Sequence, residues 1–462
     1  MSSFENYQSP FSWRYGSPEM RRIWGEENKR RIWRRLWVAM AEAQIEWNLV
    51  TPAQLQELKE NEGNIDIQKS LEIEKRIHHD LMAELKVFAE QCTTAGGIIH
   101  LGATSMDIKD NAEVLQIAQS LDLVLNRLRV LLGSLADCIE QYAATLVMAF
   151  THLQPAEPTT LGYRLANFGQ DLLQDYHTLN ESRKTLKGKG FKGAVGNAAS
   201  YQMLYGEDGA IRFEKAISQK LELPFYPIAT QTYTRKQDYS ILTALSSLAA
   251  TAYKFAFDLR LLQSETIGEL AEPFEAEQVG SSAMPFKRNP ILCEKIDSLA
   301  RSLSAAPLVA WNNYAHSLLE RTLDDSANRR SLLPESFLSV DEILLTLIHI
   351  LENIQVKTVS IQKTIDQFGP FSAVERILMA VVQNGANRQE IHEKLRQLSM
   401  KAWEAVQSGA NNPLVELVLH DQNIMQWITP DALQKLFDVK EYTGRAERLA
   451  REMAQVIKQQ IA

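Results

Sequence analysis

The sequence predicts an all-α protein whose central part is a bundle of long helices. Residues 111–147, 155–186 and 231–269 each continue for more than 30 residues almost without glycine or proline. At a rise of about 1.5 Å per residue, each segment would form a helix about 50 Å long, which must pack beside its neighbours. Strand-like alternation is limited to short pieces such as residues 145–151. The composition is typical of a helical globular protein, with 45% hydrophobic residues and only 21 Gly and 15 Pro among 462 residues.

The N-terminal part, residues 1–111, is predicted to form a separate helical domain. Residues 20–47 repeat apolar positions at spacings of three and four, which indicates an amphipathic helix, and Pro52 begins the next one. The segment GGIIHLGATSMDIKDN, residues 96–111, then interrupts the helices with glycines and small polar residues. Asp110 is expected to be the N-cap of the first long helix.

The central part, residues 112–356, is predicted to contain the bundle and to assemble with other copies of the chain. The stretch ILTALSSLAATAYKFAF in the third long helix is apolar or small on nearly every side, so one neighbour could not cover it. Residues 289–319 and 326–356 add two more long helices, and Pro334 should kink the second or begin a new turn. Shorter helices separated by FGPFS, NGANRQ and SGANNP predict a small helical cap over residues 357–462.

Charge and cysteine content argue against several classes of protein. The formal net charge of −8, without a cluster of lysine and arginine, disfavours binding to nucleic acid, whereas a small anionic substrate could bind where arginines are concentrated. Cys92, Cys138 and Cys293 are far apart and form no C-x-x-C motif, so the sequence predicts neither a disulfide framework nor a zinc site. The N-terminal segment is polar and no run of 18 apolar residues occurs, which predicts a cytoplasmic protein without membrane attachment.

The segment GKGFKG, residues 188–193, has the glycine spacing of dinucleotide-binding loops. That motif requires a preceding strand, and a lysine-rich helix end precedes it here. We therefore expect these residues to be a helix C-cap and a loop.

Two segments with histidine are candidates for acid or base chemistry. In FTHLQPAEPTT, His152 lies in a short polar turn just before Pro155, which is expected to begin a helix. In KRIHHDLMAE, His78 and His79 precede Asp80, which could orient one imidazole and keep it charged. A lone histidine is more often structural, and an adjacent pair on a helix points about 100° apart, which disfavours a shared metal. Both segments stay open between a structural and a functional interpretation.

Two further segments could bind an anion or position a reactive hydroxyl. In ERTLDDSANRR, Asp325 or Ser326 could cap a helix that places Ser326 and Arg330 on one face. Arg321, in the preceding turn, would complete a clamp for phosphate or carboxylate, although an ordinary capped surface helix fits the spacing equally well. In GSSAMPFKRNP, a glycine hinge would let the hydroxyl of Ser281 and the following lysine come together over a substrate, while a serine in such a loop is usually only part of a linker.

Taken together, these segments resemble the adenylosuccinate lyase family within the fumarase and aspartase superfamily. The resemblance extends over nearly the whole chain and is carried by SWRYGSPEM, RIHHD, GATSMDIKDN, THLQPAEPTT, QTYTRKQD, GSSAMPFKRNP and ERTLDDSANRR. The pattern GSS-x-M-x-x-K-x-N is common to the superfamily, whereas QTYTRK and SANRR are particular to the family. The resemblance implies an all-helical homotetramer with a central long-helix bundle and active sites that are each lined by three chains.

The resemblance also implies an activity. Such enzymes of purine and AMP biosynthesis split adenylosuccinate into AMP and fumarate, and they also release fumarate from succinylaminoimidazole carboxamide ribotide. The implied substrate is a nucleoside monophosphate that carries a succinyl group, and neither a metal nor an organic cofactor is implied. The alternatives are a sister lyase of the argininosuccinate lyase or fumarase type, or a non-catalytic structural protein on the same fold.

The family pattern gives roles to the residues that would perform the chemistry. Ser281, on the mobile loop, resembles the general base that removes a proton beside a carboxylate. His152 resembles the general acid that protonates the departing nitrogen, with Glu294 as the carboxylate that orients it. Lys287 and Asn289 would hold the carboxylates of the fumarate portion as negative charge grows there.

The remaining matches are residues around the substrate. His79 lies near the leaving nucleotide and is the alternative candidate for the acid. The matches near the nucleotide and its phosphate are Arg14, Tyr15, Asp80, Arg321, Ser326 and Arg330, and those at the succinyl part are Thr104, Ser105, Thr151 and Gln231.

Three positions depart from the family pattern. His78 stands where arginine is expected, Lys295 replaces the arginine of some relatives, and Asn197 replaces a threonine. None of these changes removes a proposed catalytic group. A lysine lacks the bidentate fork of arginine, so affinity or substrate preference could shift.

Overall fold

The computed structural model describes residues 5–461, and this part of the chain is mostly helical. The helices are α1 (Pro18–Ile23), α2 (Glu26–Gln44), α3 (Pro52–Asn61), α4 (Ile67–Ile77), α5 (Asp80–Gln91), α6 (Ser105–Gln141), α7 (Leu161–Lys184), α8 (Ala199–Tyr205), α9 (Glu207–Leu221), α10 (Lys236–Gln263), α11 (Ile291–Ser304), α12 (Ala306–Ala315), α13 (Asp324–Glu352), α14 (Thr358–Gln383), α15 (Arg388–Gln407), α16 (Leu414–Leu419), α17 (Gln422–Met425), α18 (Pro430–Leu436) and α19 (Ala446–Ile461). The strands are β1 (Leu146–Thr151), β2 (Gln154–Thr160), β3 (Leu270–Ala271) and β4 (Gln355–Val356), which form two antiparallel pairs, β1 with β2 and β3 with β4. The predicted all-α class is confirmed. Among residues 5–461, no helix combines the length and the apolar character that a membrane span requires.

The chain divides into two compact units, and each unit is assembled from three separate segments. The first unit contains Met1–Leu128, Asp175–Ala250 and Ser298–Leu345. The second unit contains the segments Arg129–Gln174, Thr251–Asp297 and Thr346–Ala462. Because α6, α7, α10 and α13 each contribute residues to both units, the long helices are elements of both.

In the first unit, the long helices are joined by polar side chains and by a buried apolar face. Arg183 of α7 donates to both carboxylate oxygens of Asp122 on α6, at 2.8 and 3.0 Å. Ser247 of α10 donates to Asp175 of α7 at 2.8 Å. The apolar residues of α6 that recur every three or four positions are buried, and these are Val114, Ile117, Leu121, Val124, Leu125 and Leu128. The bundle predicted from the uninterrupted segments is therefore present.

In the second unit, the same helices pack through apolar contacts, and the C-terminal helices have a core of their own. The rings of Phe168 on α7 and Phe255 on α10 meet edge to face with centroids 5.2 Å apart. Helices α14 to α18 share a hydrophobic cluster whose fully buried members include Ala373, Ile377, Val381, Ala402, Leu414, Val418, Ile424 and Leu433.

The hairpin of β1 and β2 replaces the beginning of a predicted helix. Pro155 was expected to begin a helix, but it lies in β2 opposite Phe150, and Pro158 lies opposite Met148. Proline has no N–H to donate and is tolerated in edge strands, and both strands of a two-stranded pair are edges. The helix prediction was wrong because a proline was taken as a helix start where it occupies a strand. The strand predicted over residues 145–151 is confirmed as β1.

Asp110 is not the N-cap of the first long helix. Helix α6 begins earlier, at Ser105, and the carboxylate of Asp107 accepts the N–H of Thr104 at 3.1 Å, which satisfies the helix start. Asp110 is completely buried inside the helix. Its carboxylate binds a buried arginine that is far away in sequence, and the local capping pattern gives no sign of this partner.

Prolines and glycines interrupt the predicted helices at other places than expected. Helix α13 continues through Pro334, and α14 continues through Pro370 in FGPFS, where a break was predicted. By contrast, the helix predicted over residues 20–47 is divided at Gly25, and the one predicted over 289–319 is divided between α11 and α12. The motifs NGANRQ and SGANNP do separate helices, as predicted.

Gly162, the second residue of α7, provides a test of the packing between α7 and the end of α6. A Cβ at Gly162 would lie 2.5 Å from the Cα of Ala143 and 2.6 Å from the carbonyl oxygen of Ile139, both of them backbone atoms. We expect Gly162→Ala to lower the free energy of unfolding by roughly 1 to 3 kcal/mol, because the backbones must separate. Gly133→Ala is the control, because the new Cβ would meet nothing closer than 3.8 Å. We expect this substitution to leave the free energy of unfolding unchanged or to raise it. Thermal unfolding would contradict the packing if both variants had the melting temperature of the unchanged protein.

Candidate active site

A polar pocket in the first unit, called here the clamp pocket, brings together several predicted substrate-binding residues. Its lining includes four of them, which are Asp80, Arg321, Ser326 and Arg330. The other lining residues are Lys29, Trp33, Met106, Lys109, Glu113, Gln116, Arg235, Leu323 and Arg329. Cationic side chains outnumber carboxylates in this lining, so the pocket suits an anionic ligand.

The first turns of α13 present the predicted clamp. The helix begins at Asp324, so Asp325 and Ser326 lie inside its first turn and are not its cap. Ser326 and Arg330 follow each other at i, i+4 and both line the pocket. Arg321 precedes the helix and donates to the carboxylate of Asp325 at 2.9 Å. The predicted convergence of these side chains is present, whereas the predicted capping role is replaced by ion pairing.

Arg235 is buried and is held by carboxylates from two helices. Its Nη1 and Nη2 donate to Asp110 of α6 at 3.2 and 3.1 Å, and its Nε donates to Asp325 of α13 at 2.7 Å. Burial alone would raise the pKa of Asp325, but Arg235 and Arg329 lower it below its usual value. Arg235 therefore fixes the first turn of α13 against α6.

Arg329 lies on α13, one turn after Asp325, and it is also held by carboxylates of two helices. Its Nε donates to Asp238 of α10 at 2.8 Å, its Nη1 to Glu113 of α6 at 2.8 Å, and its Nη2 to the hydroxyl of Tyr233 at 2.8 Å. Tyr233 donates in turn to Asp238 at 2.5 Å. The adjacent arginines of the SANRR motif thus have different tasks, since Arg329 is buried and structural, while Arg330 is exposed at the pocket.

His78 and His79 together form the turn between α4 and α5. His78 ends α4 in the left-handed conformation, with φ of 54°, and His79 is the N-cap of α5. Nδ1 of His79 accepts the N–H of Met82 at 3.3 Å, so the neutral ring carries its proton on Nε2. This Nε2 lies 3.3 Å from the hydroxyl of Ser105. The structure therefore joins two residues that the sequence analysis assigned separately.

Asp80 links three elements around the clamp pocket. Its Oδ2 accepts from Lys109 of α6 at 2.7 Å and from Arg330 of α13 at 3.1 Å, and its Oδ1 accepts the N–H of Leu81 at 2.8 Å. Burial alone would raise the pKa of Asp80, but Lys109, the N–H of Leu81 and Arg330 lower it to about 2. Asp80 is therefore ionised at neutral pH and can only accept hydrogen bonds.

The start of α6 positions Thr104 and Ser105 through the buried carboxylate of Asp107. Besides the N–H of Thr104, this carboxylate accepts from the ammonium group of Lys189 and, at 3.2 Å, from the N–H of Gly193. The two last residues belong to GKGFKG, which forms an irregular loop after α7. The prediction of a loop is confirmed, whereas the prediction of a helix C-cap was wrong, because α7 ends at Lys184, before this segment begins. Its conformation supports the helix that carries Ser105.

Two further segments contact α13 or the turn before it. One contains Gln231, and the other contains Arg14 and Tyr15. The N–H of Gln231 donates to the carbonyl oxygen of Glu320 at 3.1 Å, just before Arg321. The segment with Arg14 and Tyr15 is anchored where the N–H of the following Gly16 donates to Glu342 at 3.0 Å. None of Gln231, Arg14 and Tyr15 is among the residues that line the clamp pocket.

The loop with Ser281, in the second unit, is held closed by hydrogen bonds between its side chains and its own backbone. The hydroxyl of Ser281 accepts the N–H groups of Ala283 at 3.4 Å and Met284 at 3.1 Å. The amide of Asn289 donates to the carbonyl oxygen of Gly280 at 2.8 Å. A Cβ at Gly280 would lie 2.2 Å from the carbonyl oxygen of Lys287, so only glycine fits at this crossing.

A second pocket, in the second unit, is lined by Lys287, Asn289 and Glu294 together with the buried Glu272. Glu272 accepts the N–H groups of Leu292 and Cys293 at 3.0 and 2.9 Å, and it therefore satisfies the first turn of α11. Oε1 of Glu294, in that turn, lies 3.7 Å from Nη2 of Arg260. A side chain distant in sequence thus fixes the helix that follows the serine loop.

His152 lies at the tip of the β1–β2 hairpin in the second unit. Thr151 pairs with Gln154, so His152 and Leu153 form a two-residue turn, with φ of 54° and 60°. Such turns favour Asn-Gly, because non-glycine residues rarely adopt positive φ. Both side chains are exposed. Within the described residues no hydrogen bond joins His152 to Glu294, so their predicted pairing stays a prediction.

The sequence patterns gave no prediction for Lys109, Arg235 and Arg329, which line the clamp pocket. A signal for Lys109 was available, because it follows Ser105 by four residues and would share its helix face. The prediction that the helix started at residue 111 concealed this relation. For the two arginines the sequence offers no signal that separates them from arginines that bind substrate.

The comparisons with known proteins agree with this fold. A family model described as lyase matches residues 14–303. The structure of a 3-carboxy-cis,cis-muconate lactonizing enzyme from Pseudomonas putida superposes with a TM-score of 0.86 at 22% identity, covering 99% of this chain and 100% of that one. A fumarate lyase from Mesorhizobium sp. BNC1 gives a TM-score of 0.84 at 22% identity, covering 97% and 99%. The chain therefore has the fold of these enzymes, and the family model, which covers more than half of its length, places it among the lyases.

Closer relatives define the family. A second family model, described as adenylosuccinate lyase C-terminus, matches residues 370–453. Adenylosuccinate lyase of Saccharomyces cerevisiae is 38% identical over 464 residues, covering 98% of this chain and 95% of the relative. Those of Schistosoma mansoni and Archaeoglobus fulgidus are 40% and 33% identical, covering 91% and 97% of this chain and 89% and 99% of the relatives. The chain therefore belongs to the adenylosuccinate lyase family.

The lowered pKa of Asp80 predicts how its ion pairs contribute to stability. Since the pKa falls from 3.8 to about 2 on folding, the contribution is present above about pH 4 and is lost as the pH falls toward 2. We expect Asp80→Asn to melt a few degrees below the unchanged protein at pH 6, with a difference that shrinks between pH 4 and pH 2. A difference in melting temperature that is constant over this range would contradict the assignment.

Proposed function

We propose that this protein is an enzyme that cleaves adenylosuccinate to AMP and fumarate, and that it also releases fumarate from succinylaminoimidazole carboxamide ribotide. The observation that carries the proposal is the clamp pocket, in which Arg321, Ser326 and Arg330 converge, in a chain that belongs to this family. Guanidinium groups with a hydroxyl suit a phosphate, and both proposed substrates have one. The substrates of a sister lyase of the argininosuccinate lyase or fumarase type lack phosphate and would not need Arg321 and Arg330 in this role.

Ser281 is proposed to be the general base. The reaction removes a weakly acidic proton beside a carboxylate, and a serine can do so only if its alkoxide is stabilised. The N–H groups of Ala283 and Met284 point at the hydroxyl oxygen and would support that negative charge. Lys287 and Asn289, on the same loop, are proposed to hold the carboxylates of the forming fumarate as the carbanion develops.

His152 is proposed to be the general acid, with Glu294 orienting it. The backbone at the hairpin tip supports this role, because strained left-handed residues often occur where a side chain must be presented for function. His79 is the alternative acid. Its Nε2–H tautomer could donate a proton, and its neighbour Asp80 belongs to the clamp pocket.

The remaining substrate contacts extend the same proposal. Arg14 and Tyr15 would join the clamp on the phosphate, and Asp80 would accept hydrogen bonds from the nucleotide. Thr104, Ser105, Thr151 and Gln231 would contact the succinyl part. Their support is the match of their motifs to the family, and for Ser105 also its contact with His79.

A homotetramer with three-chain active sites is proposed as the working form. Exposed apolar side chains support assembly, since Leu308 and Trp311 of α12 and the following Leu318 and Leu319 are 65, 47, 67 and 88% exposed. We propose a cytoplasmic enzyme, with residues 1–111, 112–356 and 357–462 as its N-terminal, bundle and cap domains.

The decisive experiment measures fumarate release by the purified chain from adenylosuccinate and from argininosuccinate under the same conditions. We expect release from adenylosuccinate only. Release from argininosuccinate alone would favour a sister lyase, and release from neither by a folded tetramer would contradict the proposal.

Ser281→Ala tests the base. We expect kcat to fall by at least about a thousandfold while AMP still binds, because the clamp residues are untouched. Ser282→Ala, the adjacent hydroxyl on the same loop, is the control and should keep most of the activity. Turnover near normal in Ser281→Ala would overturn the base assignment.

His152→Ala and His79→Ala compare the two candidates for the acid. We expect the larger loss of kcat for His152→Ala, and a smaller loss with a raised KM for His79→Ala, whose ring caps α5 and contacts Ser105. Steady-state kinetics of the two variants decide the ranking. A larger kcat loss for His79→Ala would reverse it.

A further inference from the structure

Lys109 is a residue of the clamp pocket for which the family pattern gives no role. It lies on α6 four residues after Ser105, is about three-quarters buried, and its Nζ is 2.7 Å from Oδ2 of Asp80. The guanidinium group of Arg330 donates to the same oxygen at 3.1 Å. One carboxylate therefore holds two cations, one from each of two helices.

The shared carboxylate creates a competition that bears on ligand binding. Arg330 is 56% exposed at the pocket, and a phosphate would have to draw it from Asp80 or share it with Asp80. A carboxylate with a single cationic partner holds that partner strongly, while a carboxylate that a second cation already neutralises holds it less. Lys109, which is nearer and less exposed than Arg330, is the cation that neutralises Asp80.

The other cations of the pocket do not have this position. The ammonium group of Lys29 is 2.5 Å from Glu26, on the same helix. Arg235 and Arg329 are buried and each is bound to two carboxylates. Among the lining residues, Arg330 and Arg321 are therefore the guanidinium groups that can meet a ligand, and Lys109 acts on the first of them.

We propose that Lys109 is a positioning residue for phosphate recognition, which neutralises Asp80 and thereby leaves the guanidinium group of Arg330 available to the phosphate of a nucleotide. The inference rests on the proposed function, because it assigns the ligand of the clamp pocket. Its effect is on binding and not on the chemical step, since Lys109 would act through Asp80 and Arg330.

The test measures equilibrium binding of AMP and of adenosine to the full-length protein. We expect Lys109→Met to weaken AMP binding about tenfold and to leave adenosine binding unchanged, because only the phosphate uses Arg330. For the reaction, KM should rise by a similar factor with kcat nearly unchanged. Lys109→Arg, which keeps the charge, should bind AMP within about threefold of the unchanged protein.

A double-mutant cycle separates action through Asp80 from a direct effect of the charge. In the Asp80→Asn background no carboxylate competes for Arg330, so adding Lys109→Met should weaken AMP binding less than about threefold. An equal effect in both backgrounds would overturn the proposal, because a direct contribution of the ammonium charge is additive.

Lys69→Met is the matched control. Lys69 also pairs with a carboxylate in the first unit, Glu90 at 2.5 Å, but it does not line the clamp pocket. AMP binding should be unchanged in this variant, and melting temperatures of all variants should show that they fold. If the unchanged protein binds AMP and releases fumarate while Lys109→Met binds AMP equally well, the inference fails and the proposed function stands. If the unchanged protein does neither, both fail.

Discussion

The clamp pocket depends on the burial of two arginines, Arg235 and Arg329, among carboxylates of three helices. Removing a charge from water is costly, and only close pairing with hydrogen bonds offsets the cost. Here each guanidinium group is bound to two carboxylates, and every one of those carboxylates comes from α6, α10 or α13. A rotation or shift of α13 would break several charged hydrogen bonds at once. The network therefore fixes the one orientation in which Ser326 and Arg330 face the pocket.

The serine loop of the second unit is held in place by different contacts. The loop is held by its own backbone, through the crossing at Gly280 and the bond from Asn289, and α11 behind it is fixed by Glu272. Apart from the bond from Asn289, few side chains tie down the loop, so its residues between Ser282 and Arg288 are exposed. Such a loop can close over a substrate without breaking a packed core. A rigid arginine-bearing helix and a lightly held serine loop suit their proposed tasks.

Local sequence patterns predicted the helical class, the long helices, the short strand at residues 145–151 and the convergence of Arg321, Ser326 and Arg330. They failed where a side chain binds a distant partner and where a proline occupies a strand. Asp110 and Asp325 look like helix caps because the same residue types cap helices and pair with arginines. Pro155 looks like a helix start because proline fixes the same φ in both settings. Lys109 could have been found from its spacing to Ser105, but Arg329 and Arg330 are neighbours of one type, and only the packing of α13 distinguishes them.

The central claim is that the buried arginines support the clamp and do not bind the ligand. A crystal structure of the protein with AMP tests it most directly. We expect the phosphate within hydrogen-bonding distance of Arg330, Ser326 and Arg321, with Arg235 and Arg329 still bound to their carboxylates. A phosphate bound to Arg235 or Arg329, or one bound outside the clamp pocket, would contradict the account.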